Sequence, residues 1–282
     1  MKSVALGGGH GTAVTLRALL QFSSHVTGVV SIADDGGSSG DLRRAFNIPA
    51  VGDIRRCLSA TSDQEIVLSQ LLERHVGSSH HPLGNLLIAA AIIEFGDIAT
   101  AIGHVTKLTG STVDLLPATS EAVNLRAKTH EGYVEGQVRV HGRSDIEQVE
   151  VLPVSAVAPA AVVQAIDEAD LIVSGPGSLF TSVLATLVVS GVNQAIQRSH
   201  APFVFIANLS PEIPETEGIG LREQLSVLEN HGLRPDCVLC DERFEGAENL
   251  PVQAVFAPIS DEQGTSHDPT KVARALRALM AN

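Results

Sequence analysis

Tryptophan is absent from this chain and tyrosine occurs once; with eight phenylalanines, aromatic residues make up 3%. The core must then come from Val, Ile, Leu and Ala, interspersed with 25 glycines. That mix suits parallel strands buried on both faces beneath helices. Three cysteines, Cys57, Cys237 and Cys240, are too few for a disulfide scaffold. No apolar run approaches the roughly 18 residues of a membrane span. The apolar stretch Val4 to Leu6 is too short for a secretory signal. These absences predict a cytoplasmic protein with no membrane insertion. Basic residues are outnumbered 32 to 19, giving a formal charge of −13. A field of that sign repels phosphate backbones and argues against a general nucleic-acid binder. An anionic small ligand would have to be held by local donors.

What is present is an α/β rhythm. Residues 3–6 read as a short buried strand running into Gly7-Gly8-Gly9-His10-Gly11. Thr12 to Phe22 read as a helix and His25 to Ala33 as a second buried strand. This β–glycine turn–α–β opening starts a Rossmann-like sheet. A polar, glycine-rich stretch, Asp34 to Asp41, follows where the strand's carboxyl end should lie. Helical patterns recur near 53–60, 64–75, 84–95 and 97–108. Residues 112–150 change character: strand-like pieces Ala122 to Thr129 and Val134 to Val140 flank the turn signal His130-Glu131-Gly132. They read as a small β-hairpin excursion from the main sheet. The rhythm then returns, with strands at Asp170 to Ser174, Phe203 to Ala207, Asp236 to Leu239 and Val252 to Phe256, and a closing helix from Pro269 to Met280. No repeat or linker divides the chain, so 1–282 reads as one domain.

Several turns carry the residue types of a phosphate site. Glycines at a strand-to-helix turn let the backbone approach a phosphate, and the helix N-terminus adds N–H donors and positive potential. Gly7 and Gly9 fit the dinucleotide pattern, but Thr12 stands where its third glycine belongs, and no Gly-Lys-Ser/Thr follows. In the next turn, Asp34 and Asp35 suit a ribose hydroxyl or a divalent ion, while Ser38, Ser39 and the glycine N–H groups suit an anion. A solvated loop capped by Asp41 is the plainer alternative. Arg55, after Gly52-Asp53, has the geometry to grip phosphate, or to pair at the surface. Asn85 reads as a helix cap or as a partner for a base or sugar. Gly175-Pro176-Gly177-Ser178 repeats the strand-then-glycine logic and reads as a second cradle or as a capped turn. Asn208 sits at the same expected edge and leads into an acidic loop, Pro211 to Gly218.

Other features read as structural. The Cys237-x-x-Cys240 pair lies along an apolar strand with no second pair, which favours buried thiols over a zinc site. His80 and His81 mark a helix entry. No Ser-His-Asp or Cys-His spacing stands out.

Taken together, these residues resemble the CofD-like superfamily, in its gluconeogenesis-factor (YvcK-type) branch. The family's GGGTG turn corresponds to GGGHG at 7–11, its ADDGGSSG loop to 33–40, and its PPGDIRNCL segment to AVGDIRRCL at 50–58. Its GHSLGNLL segment corresponds to HHPLGNLL at 80–87, GPGSLYTS to GPGSLFTS at 175–182, and NVMTQPGETDG to NLSPEIPETEG at 208–218. The chain departs at His10 and Arg56, and within 210–216, where Asn208, Glu215 and Thr216 persist.

The resemblance implies a Rossmann-like three-layer α/β/α sandwich with a nucleotide-sugar site built from the glycine turn, the Asp-Asp loop and the GPGS loop. It implies a UDP-sugar ligand of the UDP-N-acetylglucosamine class and a role in cell shape and envelope synthesis on gluconeogenic carbon sources. On this reading Gly8, Gly9, His10, Gly11, Thr12, Gly175, Pro176, Gly177 and Ser178 surround the diphosphate. Asp34, Asp35, Ser38, Ser39 and Arg55 line the site, and Asn85 and Asn208 orient base or sugar. The alternative is a phospholactyl-type transferase, with Asp34 and Asp35 holding Mg²⁺ against the donor. No cofactor is otherwise implied. A homodimer and envelope-synthesis protein partners complete the expectations.

Overall fold

The computed structural model describes residues 1–75, 77–244 and 250–281. The chain opens with β1 (Lys2–Gly7), α1 (Gly9–Leu19) and β2 (His25–Val30). Three helices follow, α2 (Gly37–Phe46), α3 (Gly52–Thr61) and the short α4 (Val67–Leu71). Then come α5 (Leu83–Phe95), α6 (Ile98–Leu108) and β3 (Asp114–Pro117). A lobe is built from β4 (Asn124–Thr129), β5 (Gly132–Glu135), α7 (Gln137–His141) and β6 (Ile146–Leu152). The second half runs α8 (Ala160–Asp167), β7 (Leu171–Ser174), a π-helical turn Leu179–Leu184, α9 (Ala185–Leu187) and α10 (Val192–Arg198). It ends with β8 (Phe203–Ile206), α11 (Leu221–Asn230), β9 (Cys237–Asp241), β10 (Gln253–Ala257) and α12 (Pro269–Leu279).

Seven strands form one parallel sheet in the order β10-β9-β8-β7-β1-β2-β3. Its central strands are apolar and buried almost throughout, as expected of strands covered on both faces. Helices cover both sides; α1 packs against α3 and α12, and α8 against α10. The result is the Rossmann-like α/β/α sandwich. The excursion is a three-stranded antiparallel sheet, β5-β4-β6.

Local readings shift at four places. The helix expected from Thr12 starts at Gly9, inside the glycine run. The polar stretch after β2 is a loop only as far as Gly36; α2 begins at Gly37. Winding is possible there because Ser38 and Ser39 spend their hydroxyls on groups outside the helix, and because Gly40 leaves room for the Asp35 carbonyl. The strand read over Val134 to Val140 stops at Glu135. Gly136 turns at φ 101°, and Asp35 Oδ1 accepts the Val138 N–H at 2.9 Å, which starts α7 instead. Residues 114–117 do not belong to the excursion; they pair with β2 as an edge strand of the main sheet.

Cys237 and Cys240 are buried on β9, and Cys57 is buried in α3. Three residues apart on a strand, the β9 pair faces opposite sides of the sheet. Burial pushes the Cys240 thiol up to about 11. Among the described residues no helix is long and apolar enough to cross a membrane.

Candidate functional site

The strand order reverses at β1, with β2 and β3 on one side and β7 to β10 on the other. In open α/β sheets this reversal opens a crevice at the strands' carboxyl ends. The glycine turn leaves β1 there, and the GPGS turn leaves β7 beside it. They touch: a Cβ on Gly11 would collide with the Pro176 carbonyl. Thr15 Oγ1 donates to the Gly175 carbonyl at 2.7 Å, and Ser174 Oγ to the Leu6 carbonyl at 3.1 Å. Both loops are thereby fixed to the sheet's rim.

Four helix N-termini meet on the β1–β2 side of this rim. A Cβ on Gly8, the cap residue of α1, would collide with the carboxylate of Asp53 in the first turn of α3. Gly52, the first residue of α3, lies against α2 and its preceding loop; a Cβ there would stand 3.3 Å from Asp34 Oδ2 and 3.4 Å from Ser39 Oγ. Ser39 Oγ accepts the N–H groups of Val51 and Gly52 at 3.1 and 3.2 Å. In the first turn of α5, Asn85 Nδ2 donates to Ser38 Oγ at 2.9 Å, and Ser38 also bonds His81 Nδ1 at 2.8 Å. None of the four helices is closed by its own cap residue's side chain. Each end carries roughly half a positive charge. An acidic protein thus concentrates positive potential here without lysine.

Two carboxylates, the buried Asp53 and the half-buried Asp34, sit in this field. Asp53 lies against Gly8 at the start of α1 and holds Arg56 Nη1 at 2.6 Å. Burial nevertheless pushes its carboxyl up to about 6 against the pull of Arg56. Burial also raises Asp34, whose Oδ1 accepts the Gly36 N–H at 2.9 Å. Arg55 turns away to Glu73 at 2.5 Å. Among the described residues, Asn85 Oδ1 and Arg55 Nε are buried without a hydrogen-bond partner. His10 is exposed on α1; partial burial of its ring, followed by the charge of Arg56, lowers its pKa.

The other sequence-level candidates are committed to structure. Asp35 Oδ1 accepts the Val138 N–H of α7, while Asp34 Oδ1 accepts the Gly36 N–H and its Oδ2 faces Gly52. Among the described residues no cluster of three or more His, Cys, Asp or Glu side chains is placed to hold a metal. Asn208 grips Gly177 at both ends, accepting its N–H at 2.8 Å and donating to its carbonyl at 2.9 Å. Thr12 Oγ1 donates back to the Gly8 carbonyl at 3.1 Å.

Glu215 was not among the candidates, and it fills the second cradle. Its side chain is fully buried. It accepts from Ser178 Oγ, from Phe180 N at 2.6 Å, from Thr181 N at 3.3 Å and from Thr181 Oγ1 at 3.0 Å. His141 of α7 adds a contact at 2.8 Å. The donors after β7 that suit an anion therefore hold the chain's own carboxylate. The available signal was the persistence of Glu215-Thr216 in the altered 208–218 segment. Next to Asn208 a hollow of about 420 Å³ opens, lined by Leu209, Ile219, Gln224, Arg243 and Phe244. A hollow of about 440 Å³ near His25 and Asp114 lies at the other end of the strands, away from the glycine turns.

This architecture defines a doubly wound parallel α/β protein with polar, glycine-rich turns at the strand-order reversal. A family model described as 2-phospho-L-lactate transferase CofD matches residues 4–279, and the chain belongs to the CofD family. Over 99% of its length it is 34% identical to a Deinococcus radiodurans protein named "Putative gluconeogenesis factor", of which it spans 66%. It is 37% identical over 81% of its length to the gluconeogenesis factor of Halalkalibacterium halodurans, covering 73% of that protein. A similar match from Nostoc is spanned over 57% of its length, so the chain covers less than two thirds of some of these relatives. The crystal structure of a UPF0052 family protein from Bacillus halodurans superposes with a TM-score of 0.91 at 32% identity, covering 98% of both chains.

Proposed function

We propose that this chain binds a UDP-sugar of the UDP-N-acetylglucosamine class in the crevice and reports its level to envelope synthesis, as a gluconeogenesis factor needed for cell shape on gluconeogenic carbon. The observation that carries this reading is the meeting of four helix N-termini beside the β1–β7 reversal in a chain of charge −13. Such a focus favours a compact dianion such as a diphosphate. The first turns of α1 and α2 face the diphosphate. Asn85, with an unspent acceptor, suits a hydroxyl or N–H of the ligand. The Asn208 side of the crevice offers room for the uncharged portion. Isothermal titration and thermal shift with UDP-N-acetylglucosamine test the reading. Saturable binding is expected; no heat and no shift at millimolar ligand would refute it. Restoration of rod shape to a null strain on gluconeogenic medium tests the cellular role.

A transferase is the second reading, favoured by the half-buried Asp34 and the buried Asp53 beside the start of α3, both with raised pKa. It expects turnover of a nucleotide-linked donor that Asp34→Asn lowers far more than it lowers binding. Equal loss of both argues for a binder.

A further inference from the structure

We propose that the Asp53 carboxylate is an internal stand-in for the ligand's phosphate at the N-terminus of α1, so that a diphosphate diester binds together with one proton; this rests on the reading of the crevice given above. Asp53 stands against the two features that an anion at this helix end would seek, the α1 N-terminus at Gly8 and the Arg56 guanidinium. Its side chain is 7% exposed, and Gly8 closes over it without room for a Cβ. Two anions cannot share these donors at close range in a dry site. The carboxylate must therefore leave or lose its charge.

Burial and the neighbouring Asp34 favour losing the charge, against the pull of the cations. Arg56 and Arg55 stand on the same helix, with Glu73 paired to Arg55. Asp34 approaches from the β2 loop and opposes a second negative charge. His10 lies on α1, and the buried Cys57 follows on α3. Oδ1 is held by Arg56, which leaves Oδ2, the oxygen facing Gly8, to take the proton. Once protonated, Asp53 changes from a competitor into a donor. It presents an O–H to a phosphate oxygen while the α1 N-terminus and Arg56 are released to the ligand.

Titration calorimetry with UDP-N-acetylglucosamine in two buffers of different ionisation enthalpy tests this. The ligand's diphosphate stays ionised across the range, so proton uptake reports the protein. At pH 7.5 close to one proton should be taken up per ligand bound. Affinity should rise roughly tenfold per pH unit as pH falls from 8 to 7, levelling near pH 6. Asp53→Asn should bind without uptake and with a flat pH profile; His10→Gln, wherever it still binds, should keep one proton per ligand bound. If Asp53→Asn fails to fold, the wild type and His10→Gln still decide the matter. Binding without uptake in the wild type, uptake that survives Asp53→Asn, or uptake abolished by His10→Gln overturns this inference alone. No binding at any pH overturns the reading of the crevice, and this inference with it.

Discussion

Glu215 and Ser178 lie 37 residues apart in sequence, yet the Ser178 hydroxyl donates to both oxygens of the buried Glu215 carboxylate, at 2.6 and 2.5 Å. One carboxylate thereby joins the turn after β7, the acidic loop after β8 and, through His141, the antiparallel lobe. Removing it leaves the Phe180 N–H without its acceptor, and leaves the Ser178 hydroxyl and the N–H and hydroxyl of Thr181 with only each other. Glu215→Ala should lower stability by about 3 kcal/mol or more, read by urea unfolding. Glu215→Gln, which keeps one acceptor oxygen, should lose less. A Glu215→Ala protein as stable as the parent would contradict this role.

Gly11 is the contact between the two glycine turns. Ala has no backbone conflict at this position, but its Cβ has no room beside the Pro176 carbonyl. Gly11→Ala should cost about 1–3 kcal/mol through overpacking. Because it pries the β1 and β7 loops apart, it should also weaken ligand binding. Unchanged thermal melting would place the loops farther apart than described.

Asp53 sets a pH dependence of stability whose sign follows from its raised pKa. The folded form holds a proton up to about pH 6, whereas an unfolded aspartate releases it near 4. Between these values the native state binds more protons, so stability falls as pH rises. The full effect is about 3 kcal/mol, present below pH 4 and lost above pH 6. Asp34 is raised too and adds in the same direction. Carboxyls with lowered pKa, such as Asp241, act below pH 4 and outside this window. His10, His231 and His267, held below the ordinary imidazole range by burial, act in the same window with the opposite sign, so Asp53 is read from the difference between proteins. Urea midpoints at pH 5 and 7.5 should show Asp53→Asn gaining stability relative to the wild type as pH rises. A variant that gains nothing on the wild type between these values would reverse the assignment.

The three thiols should be inert in the native state. All are buried, and burial raises Cys57, Cys237 and Cys240 above an ordinary thiol. Ellman's reagent at pH 7.5 should titrate none without denaturant and all three in guanidinium. Rapid native reaction at Cys237 would show β9 to be open.

The order of strands and helices could be read from local pattern, because a strand buried on both faces advertises itself as an unbroken apolar run. Val134 to Val140 shows the limit. Its pattern continues as a strand, but Asp35, 103 residues away from Val138, captures that N–H and turns the chain into α7. The Asp34 to Asp41 stretch failed in the other direction. Its polarity belongs to hydroxyls bonded across to α3 and α5, and the backbone beneath is helical from Gly37.

Sequence alone determined the parallel α/β class, the lack of a disulfide framework and the position of each glycine turn at a strand's end. Periodicity and glycine act within a few residues, so they survive without coordinates. Only the tertiary structure decided how the donors of these turns are paired. It gave Gly177 to Asn208, the Ser178 turn to Glu215 and the start of α1 to Asp53. Those pairings depend on packing that brings distant segments together, as Thr15 meets Gly175 across 160 residues, and no local pattern records that.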